Sequence, residues 1–229
     1  MNKKKFAALI SGGKDSIFAI HKAVESGMDV YCLIAIYPKR DDSYMFHHPN
    51  VWITSLQAEA MDIRLIKKET DAEKEEELSD LEDVLSVVAG DVDAVVTGAF
   101  FSNYQKDRID KICAKLGLES SAPLWQKDAE KTITEMVESG FKIIITKVAA
   151  EGLGEEWLGR EIDRNAIDEL VELNRKHGIS IVGEGGEFET LVLDAPIFGK
   201  KIEIVSASKK MEGLVGTYVI DKAVLVDKK

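Results

Sequence analysis

The sequence predicts an α/β protein in which a parallel sheet wrapped by helices is followed by a smaller α+β part. Three observations predict it. Short, wholly apolar runs alternate with stretches of helical periodicity through the first half, as βαβ units do when their strands are buried on both faces. A Gly-rich turn, Ser11–Ser16, joins the first apolar run to the first helical stretch. Beyond about residue 125 helices give way to consecutive strands, an α+β order.

Element by element, Phe6–Ile10 is a short apolar run and reads as a buried strand. Ile17, Ile20, Ala23 and Val24 recur at helical spacing until Gly27 stops the helix. Val30–Tyr37 is a second buried strand, and residues 38–50 form a polar loop ending in HHPN. A helix containing Leu56, Ala60 and Met61 leads to a strand at Arg64–Ile66, and a charged helix spans about Glu73–Val88. Its acidic stretch, Glu69–Asp83, reads as a solvated face. Ala94–Thr97 is a further buried strand, followed by Gly98 and a helix from Asn103 to Leu116 that Gly117 closes. After Pro123 come a helix at 128–139, the strand Phe141–Val148, a Gly-rich loop and a helix at 163–177. Thr190–Leu193, Lys201–Ser206 and Tyr218–Val226 are then strands. The boundary falls near Pro123–Lys127, giving domains 1–125 and 126–229.

Of 229 residues, 45% are hydrophobic and 31% charged, enough for a core that needs no disulfide or metal. A net charge of −11 argues against stable binding to nucleic acid, which Lys and Arg drive by displacing counterions. It leaves room for a small anion in a locally positive pocket. No apolar run reaches the ~18 residues of a membrane span. The N-terminal run is also too short for a signal peptide, so a cytoplasmic location is expected. Cys32 and Cys113 lie far apart among apolar neighbours, without the spacing of a redox pair or zinc site. Oligomeric state is not legible, and a homo-oligomer stays open.

The strongest chemical signal is Ser11-Gly12-Gly13-Lys14-Asp15-Ser16 between a strand and a helix. Paired glycines let the backbone turn sharply and bring successive N–H groups to an anion. The helix start adds unpaired donors and a partial positive charge. Ser11 and Ser16 offer hydroxyls, Lys14 a full charge, and Asp15 a carboxylate for the Mg²⁺ that accompanies a nucleotide. The alternative is a structural turn in which Ser or Asp caps the helix. The spacing differs from the phosphate loop G-x-x-x-x-G-K-[ST].

A second cluster is Glu184-Gly185-Gly186-Glu187-Phe188-Glu189-Thr190, a Gly-rich turn entering a strand. Alternation sets Glu187 and Glu189 on one face and Phe188 on the other. Its three carboxylates repel one another, which points to a bound cation, the alternative being a solvated hairpin turn. Gly98 ends a strand at the edge where ligands of parallel sheets collect, and a small residue there lets a nucleotide approach. Ser102, Tyr104, Gln105 and Arg108 follow at a helix start, where Arg108 either neutralises a leaving pyrophosphate or is a plain surface arginine. His48 precedes Pro49 in a loop and is a candidate substrate contact.

The SGGKDS turn resembles the PP-loop of the N-type ATP pyrophosphatases, which cleave ATP to AMP and pyrophosphate. The segments DSYMFHHPN (42–50), LQAEAMDI (56–63), GAFFSNYQKDRID (98–110), PLW (123–125) and EGGEFET (184–190) resemble the archaeal and eukaryotic diphthine–ammonia ligases. The resemblance implies a Rossmann-like, adenine-nucleotide α-hydrolase (HUP-like) first domain that binds ATP and Mg²⁺, and a second domain for substrate. It implies amidation of diphthine on elongation factor 2, with Ser11–Ser16 and Gly98 at the nucleotide. Lys14, Asp15, Glu184 and Glu187 are then the catalytic candidates. His48, Ser102, Tyr104, Gln105, Arg108, Gly185, Gly186, Glu187, Glu189 and Thr190 are the candidates at substrate. Further C-terminal domains, expected in eukaryotic members, are missing here.

Two other readings compete. One is a tRNA-modifying thiolase or lysidine-type enzyme of the same superfamily: thiolation needs an accessible cysteine, Cys32 and Cys113 fall inside a buried strand and a helix, and the net charge of −11 disfavours tRNA. A nucleotide-binding sensor has little use for a second carboxylate cluster. With no exposed cysteine for a glutaminase, free ammonia or ammonium is the expected nitrogen donor.

Overall fold

The computed structural model describes residues 3–38, 50–70 and 74–228. Two compact units divide the chain, Met1–Trp125 and Gln126–Lys229. In the first, β1 (Lys5–Leu9), β2 (Asp29–Pro38), β3 (Leu65–Thr70), β4 (Ala94–Val96) and β5 (Glu119–Ser121) form one sheet in the order β3-β2-β1-β4-β5. Every pairing in it is parallel. The strands are joined through α1 (Lys14–Glu25), a short 3-10 turn with α2 (Thr54–Met61), α3 (Lys74–Val88) and α4 (Asn103–Leu116). The expected Rossmann-like α/β architecture is present.

Period-2 alternation sorts the strand residues between two layers. Ala7, Cys32, Ile34, Ile36 and Val95 meet Leu81, Leu85, Val88, Ile109, Ile112 and Cys113 of α3 and α4 in one buried cluster. Helix α1 packs against β1, β2 and β4, and buries Ile17, Phe18, Ala19 and Ile20. The apolar runs are continuous because both faces of the sheet are covered.

The second unit holds α5 (Ala129–Glu138), β6 (Lys142–Val148), α6 (Arg164–His177), β7 (Phe188–Asp194), β8 (Lys200–Glu212) and β9 (Val215–Asp227). Its sheet runs β7-β6-β9-β8 with every pair antiparallel. Helices α5 and α6 start at side-chain caps, Asp128 and Asp163, as their sequences invite.

Two features differ from the reading of the sequence. Strand β5 is the polar triplet Glu119-Ser120-Ser121, joined to β4 through backbone pairing alone, so no hydrophobic pattern marks it. Strands β8 and β9 run to 13 residues each, well beyond the expected limits. The added stretch of β8 is mostly exposed, and cross-strand hydrogen bonding to β9 extends the pair.

Candidate functional site

The sheet order puts the site in place. From β1 the chain winds outward through β2 to β3, then returns to lay β4 on the other side of β1. Such a reversal leaves a crevice at the carboxyl ends of the two central strands, where open parallel sheets bind ligands. The loops that leave β1 and β4 there are Ile10–Gly13 and Thr97–Ser102.

The first loop is built by its own side chains. Ser16 Oγ donates to the Gly13 carbonyl at 3.0 Å and accepts from the Ser11 N–H at 3.3 Å. Ser11 Oγ lies 3.3 Å from Ser16 Oγ and 3.4 Å from the Gly13 nitrogen. Gly12 takes φ +88°, a left-handed conformation that only glycine adopts without strain. Gly13 occupies the N-cap position of α1, and no side chain caps that helix. A structural turn would have used Ser or Asp there; here the first-turn N–H groups face the crevice without a capping side chain.

Lys14 and Asp15 add charge. The Lys14 ammonium donates to Asp15 Oδ2 at 2.7 Å, and the lysine side chain is only 3% exposed. Asp15 Oδ1 is buried and has no hydrogen-bond partner among the described residues. An unsatisfied carboxylate oxygen is costly unless something fills it, and a hard cation suits it. Among the described residues no group of three or more His, Cys, Asp or Glu is placed to hold a metal by itself. A cation here would therefore complete its shell with phosphate oxygens and water.

Gly98 serves a need different from the one its position suggested. A Cβ on it would lie 2.6 Å from Ser16 N and 2.7 Å from Asp15 C. The space beside it belongs to the backbone of α1, so glycine is required for helix and strand to approach. Ser102 is the N-cap of α4, its hydroxyl accepting from Gln105 N at 3.3 Å. Arg108 stacks on Tyr104, with its guanidinium carbon 3.4 Å from the ring centroid, and donates to the Tyr104 carbonyl at 3.2 Å. Its Nε is buried without a hydrogen-bond partner among the described residues. The arginine is thus a held cation with donor capacity to spare, not a freely moving surface group. His48 lies outside the described residues.

In the second unit the acidic turn is self-compensated. Glu187 Oε1 accepts from Ser180 N and Oε2 from Gly185 N, both at 2.8 Å. Ser180 Oγ accepts from Val182 N and Glu184 N at 3.3 and 3.2 Å. Glu189 pairs with Lys147 on the neighbouring strand at 3.0 Å. The repulsion that seemed to require an external cation is largely met by backbone N–H groups and by Lys147. Thr190 is buried in β7, Glu184 is half-buried, and Gly185 and Gly186 are exposed at the tip of the turn.

One residue at the loop escaped the sequence reading. Gln57, fully buried on α2, donates from Nε2 to the Gly12 carbonyl at 3.0 Å. The available signal was a glutamine among the buried residues of α2, which are otherwise Thr54, Ala58, Ala60 and Met61. The two cysteines are free and buried, and burial pushes each thiol up to about 11. Neither is fit for sulfur transfer. Among the described residues no helix is long and apolar enough to cross a membrane.

Residues 4–120 match the model for the diphthamide synthase N-terminal domain, and residues 128–226 that for the diphthamide synthase C-terminal domain. A protein from Schizosaccharomyces pombe named diphthine–ammonia ligase is 38% identical over 86% of this chain, which spans 36% of that relative's length. Proteins of the same name from Bos taurus and Homo sapiens are 35% and 34% identical over 89% of the chain and 84% of their own length. The length outside the match is therefore far larger in the S. pombe relative than in the mammalian ones. Among solved structures, a chain described as a predicted subunit of tRNA methyltransferase from Methanocaldococcus jannaschii is 16% identical, covering 84% of this chain and 99% of that one. Its TM-score is 0.44. With both halves matched in order and the mammalian relatives covered over 84% of their length, the chain is a ligase of the diphthamide synthase family.

Proposed function

We propose that this ligase converts diphthine on elongation factor 2 to diphthamide, using ATP and ammonia and releasing AMP and pyrophosphate. The observation that carries the reading is the Ser11–Ser16 loop. It is a Gly-rich turn at the reversal point of a parallel sheet, with an uncapped helix start and a buried Lys14–Asp15 pair. Membership in a ligase family implies ATP use, and this loop is the part of the chain built to receive a polyphosphate.

In the proposed reaction the diphthine carboxylate attacks the α-phosphorus of ATP and expels pyrophosphate, forming an acyl-adenylate. Ammonia then attacks the acyl carbon, and AMP leaves as the amide forms. The first-turn N–H groups of α1 and the Lys14 ammonium hold the charge that develops on the phosphate oxygens. Arg108, fixed by its stack on Tyr104, would receive charge on pyrophosphate. Asp15 Oδ1 would hold Mg²⁺, which when bound neutralises phosphate charge. The acceptor binds beside Glu184–Thr190. Glu184 and Glu187 would orient the cationic trimethylammonium group or take a proton from ammonium, Glu187 while also holding its own turn.

The test is product identification with ATP, ammonium and the diphthine-bearing protein. AMP and pyrophosphate are expected in equal amounts. ADP and phosphate would refute α-phosphate attack.

A further inference from the structure

We infer that Gln57 is a positioning residue for the nucleotide loop, locking one peptide plane so that a backbone donor faces the phosphate. The inference rests on Ser11–Ser16 being the ATP site. The Gly12–Gly13 peptide is a rigid trans plane, so its C=O and N–H point in opposite directions. Whatever fixes the carbonyl therefore fixes the N–H. Gly12 stands at φ +88° and is followed by a second glycine, so neither flanking residue has a Cβ to resist rotation of that plane by half a turn. A loop of this composition is free to aim the Gly13 N–H either inward or away.

Within the loop, among the described residues, the restraint on that N–H is weak. It donates to Ser11 Oγ across 3.4 Å. The Gln57 amide supplies the stronger one, at 3.0 Å from the Gly12 carbonyl in a fully buried setting. A carbonyl only accepts, so the NH₂ end of the amide must face it. Gln57 is itself held. The start of α2 is tied to the end of β2 by Tyr37, whose hydroxyl lies 2.7 Å from Thr54 Oγ1, and Thr54 Oγ1 in turn donates to the Val51 carbonyl at 2.7 Å. The chain of contacts runs from β2 through α2 to the loop, which makes α2 a strut rather than a spectator.

Losing the lock populates loops with the Gly13 N–H turned away. Nucleotide then binds only the competent fraction, and its apparent affinity falls by that fraction. One ordinary hydrogen bond corresponds to a loss of about fivefold to tenfold. Once ATP is saturating, the bound loops are competent again. The effect therefore appears in KM for ATP and in the dissociation constant, with kcat little changed.

The experiment uses the full chain and two variants, Gln57→Met, which keeps length, and Gln57→Leu, which serves if the first does not fold. Calorimetric titration with the α,β-methylene analogue of ATP and steady-state kinetics are run beside melting curves. The expected result is about fivefold to tenfold weaker analogue binding and a matching rise in KM for ATP. KM for ammonium and kcat stay within about twofold. Equal analogue affinity in wild type and in a folded variant overturns the role of Gln57 while leaving the ATP site intact. A parallel rise in both KM values, or a fall in kcat alone, overturns it as well, since either reports general damage. Absence of analogue binding by the wild type overturns both this inference and the site on which it rests.

Discussion

Replacing Gly98 by alanine probes the close approach that shapes the proposed nucleotide site. The added Cβ would stand 2.6 Å from Ser16 N, 2.7 Å from Asp15 C and 2.9 Å from Asp15 O, where ordinary contact begins at 3.4 Å. The first of these is short by about 0.8 Å, and the obstacles are backbone atoms of α1 with no side chain to swing aside. Either the first turn of α1 or the end of β4 must retreat by nearly that amount. Overpacking of this kind costs about 1–3 kcal/mol, equivalent to a fall in Tm of roughly 2–10 °C. The displaced turn carries the N–H groups, Lys14 and Asp15. A misplacement near 1 Å at a reacting centre lowers rate by about 10²-fold. The assay is kcat/KM for ATP, read as AMP formation, with a thermal melt of the same preparation. Gly90→Ala is the control, because a Cβ there meets nothing within 4 Å. Wild-type turnover and Tm in Gly98→Ala would refute the reasoning, for the turn would then be indifferent to its seat.

Other consequences follow from single contacts. Lys14→Ala is expected to lower kcat by about 10²–10³, with the far-ultraviolet circular dichroism spectrum unchanged, because it removes one preorganised charge from the phosphate. Cys32 and Cys113, with thiols pushed to about 11 by burial, are expected to resist Ellman's reagent at pH 8 and to react only in denaturant. Rapid labelling of the native protein would contradict their place in the core. Glu187→Ala removes the acceptor of the part-buried Ser180 N–H and leaves the exposed Gly185 N–H to water, so urea unfolding should show a loss of about 1 kcal/mol. Glu187→Gln, which keeps one acceptor oxygen, should lose less.

The elements that the sequence disclosed are those whose formation depends on burial. The runs at Phe6–Ile10 and Ala94–Thr97 are apolar because both faces of the sheet are covered, and they were visible for that reason. Strand β5 and the ends of β8 and β9 form through backbone pairing, which leaves no trace in side-chain pattern. The Ser11–Ser16 loop stood out because glycine pairs, hydroxyls and a lysine at a strand–helix junction have few structural uses, and its role at ATP is the proposal made above. Gln57 was not, since its partner is a backbone carbonyl 45 residues away and polarity on a buried face does not name its target. Clustered charge misled in the opposite direction. Glu187 and Glu189 looked uncompensated in one dimension, but the fold supplies N–H donors from residues 180 and 185 and an ammonium from Lys147.

The central claim is that this chain joins ammonia to the diphthine carboxylate at the expense of the α–β bond of ATP. The most direct measurement incubates the purified protein with ATP, ammonium and elongation factor 2 bearing diphthine, then weighs the modified peptide by mass spectrometry. Replacing a carboxylate OH by NH₂ lowers its mass by ~1 Da, and ¹⁵N-ammonium should make the product ~1 Da heavier than the ¹⁴N amide, with one AMP released per amide. A peptide unchanged in mass while a small-molecule acid is amidated would contradict the diphthine assignment. No amide at all, with ATP left intact, would contradict the ligase.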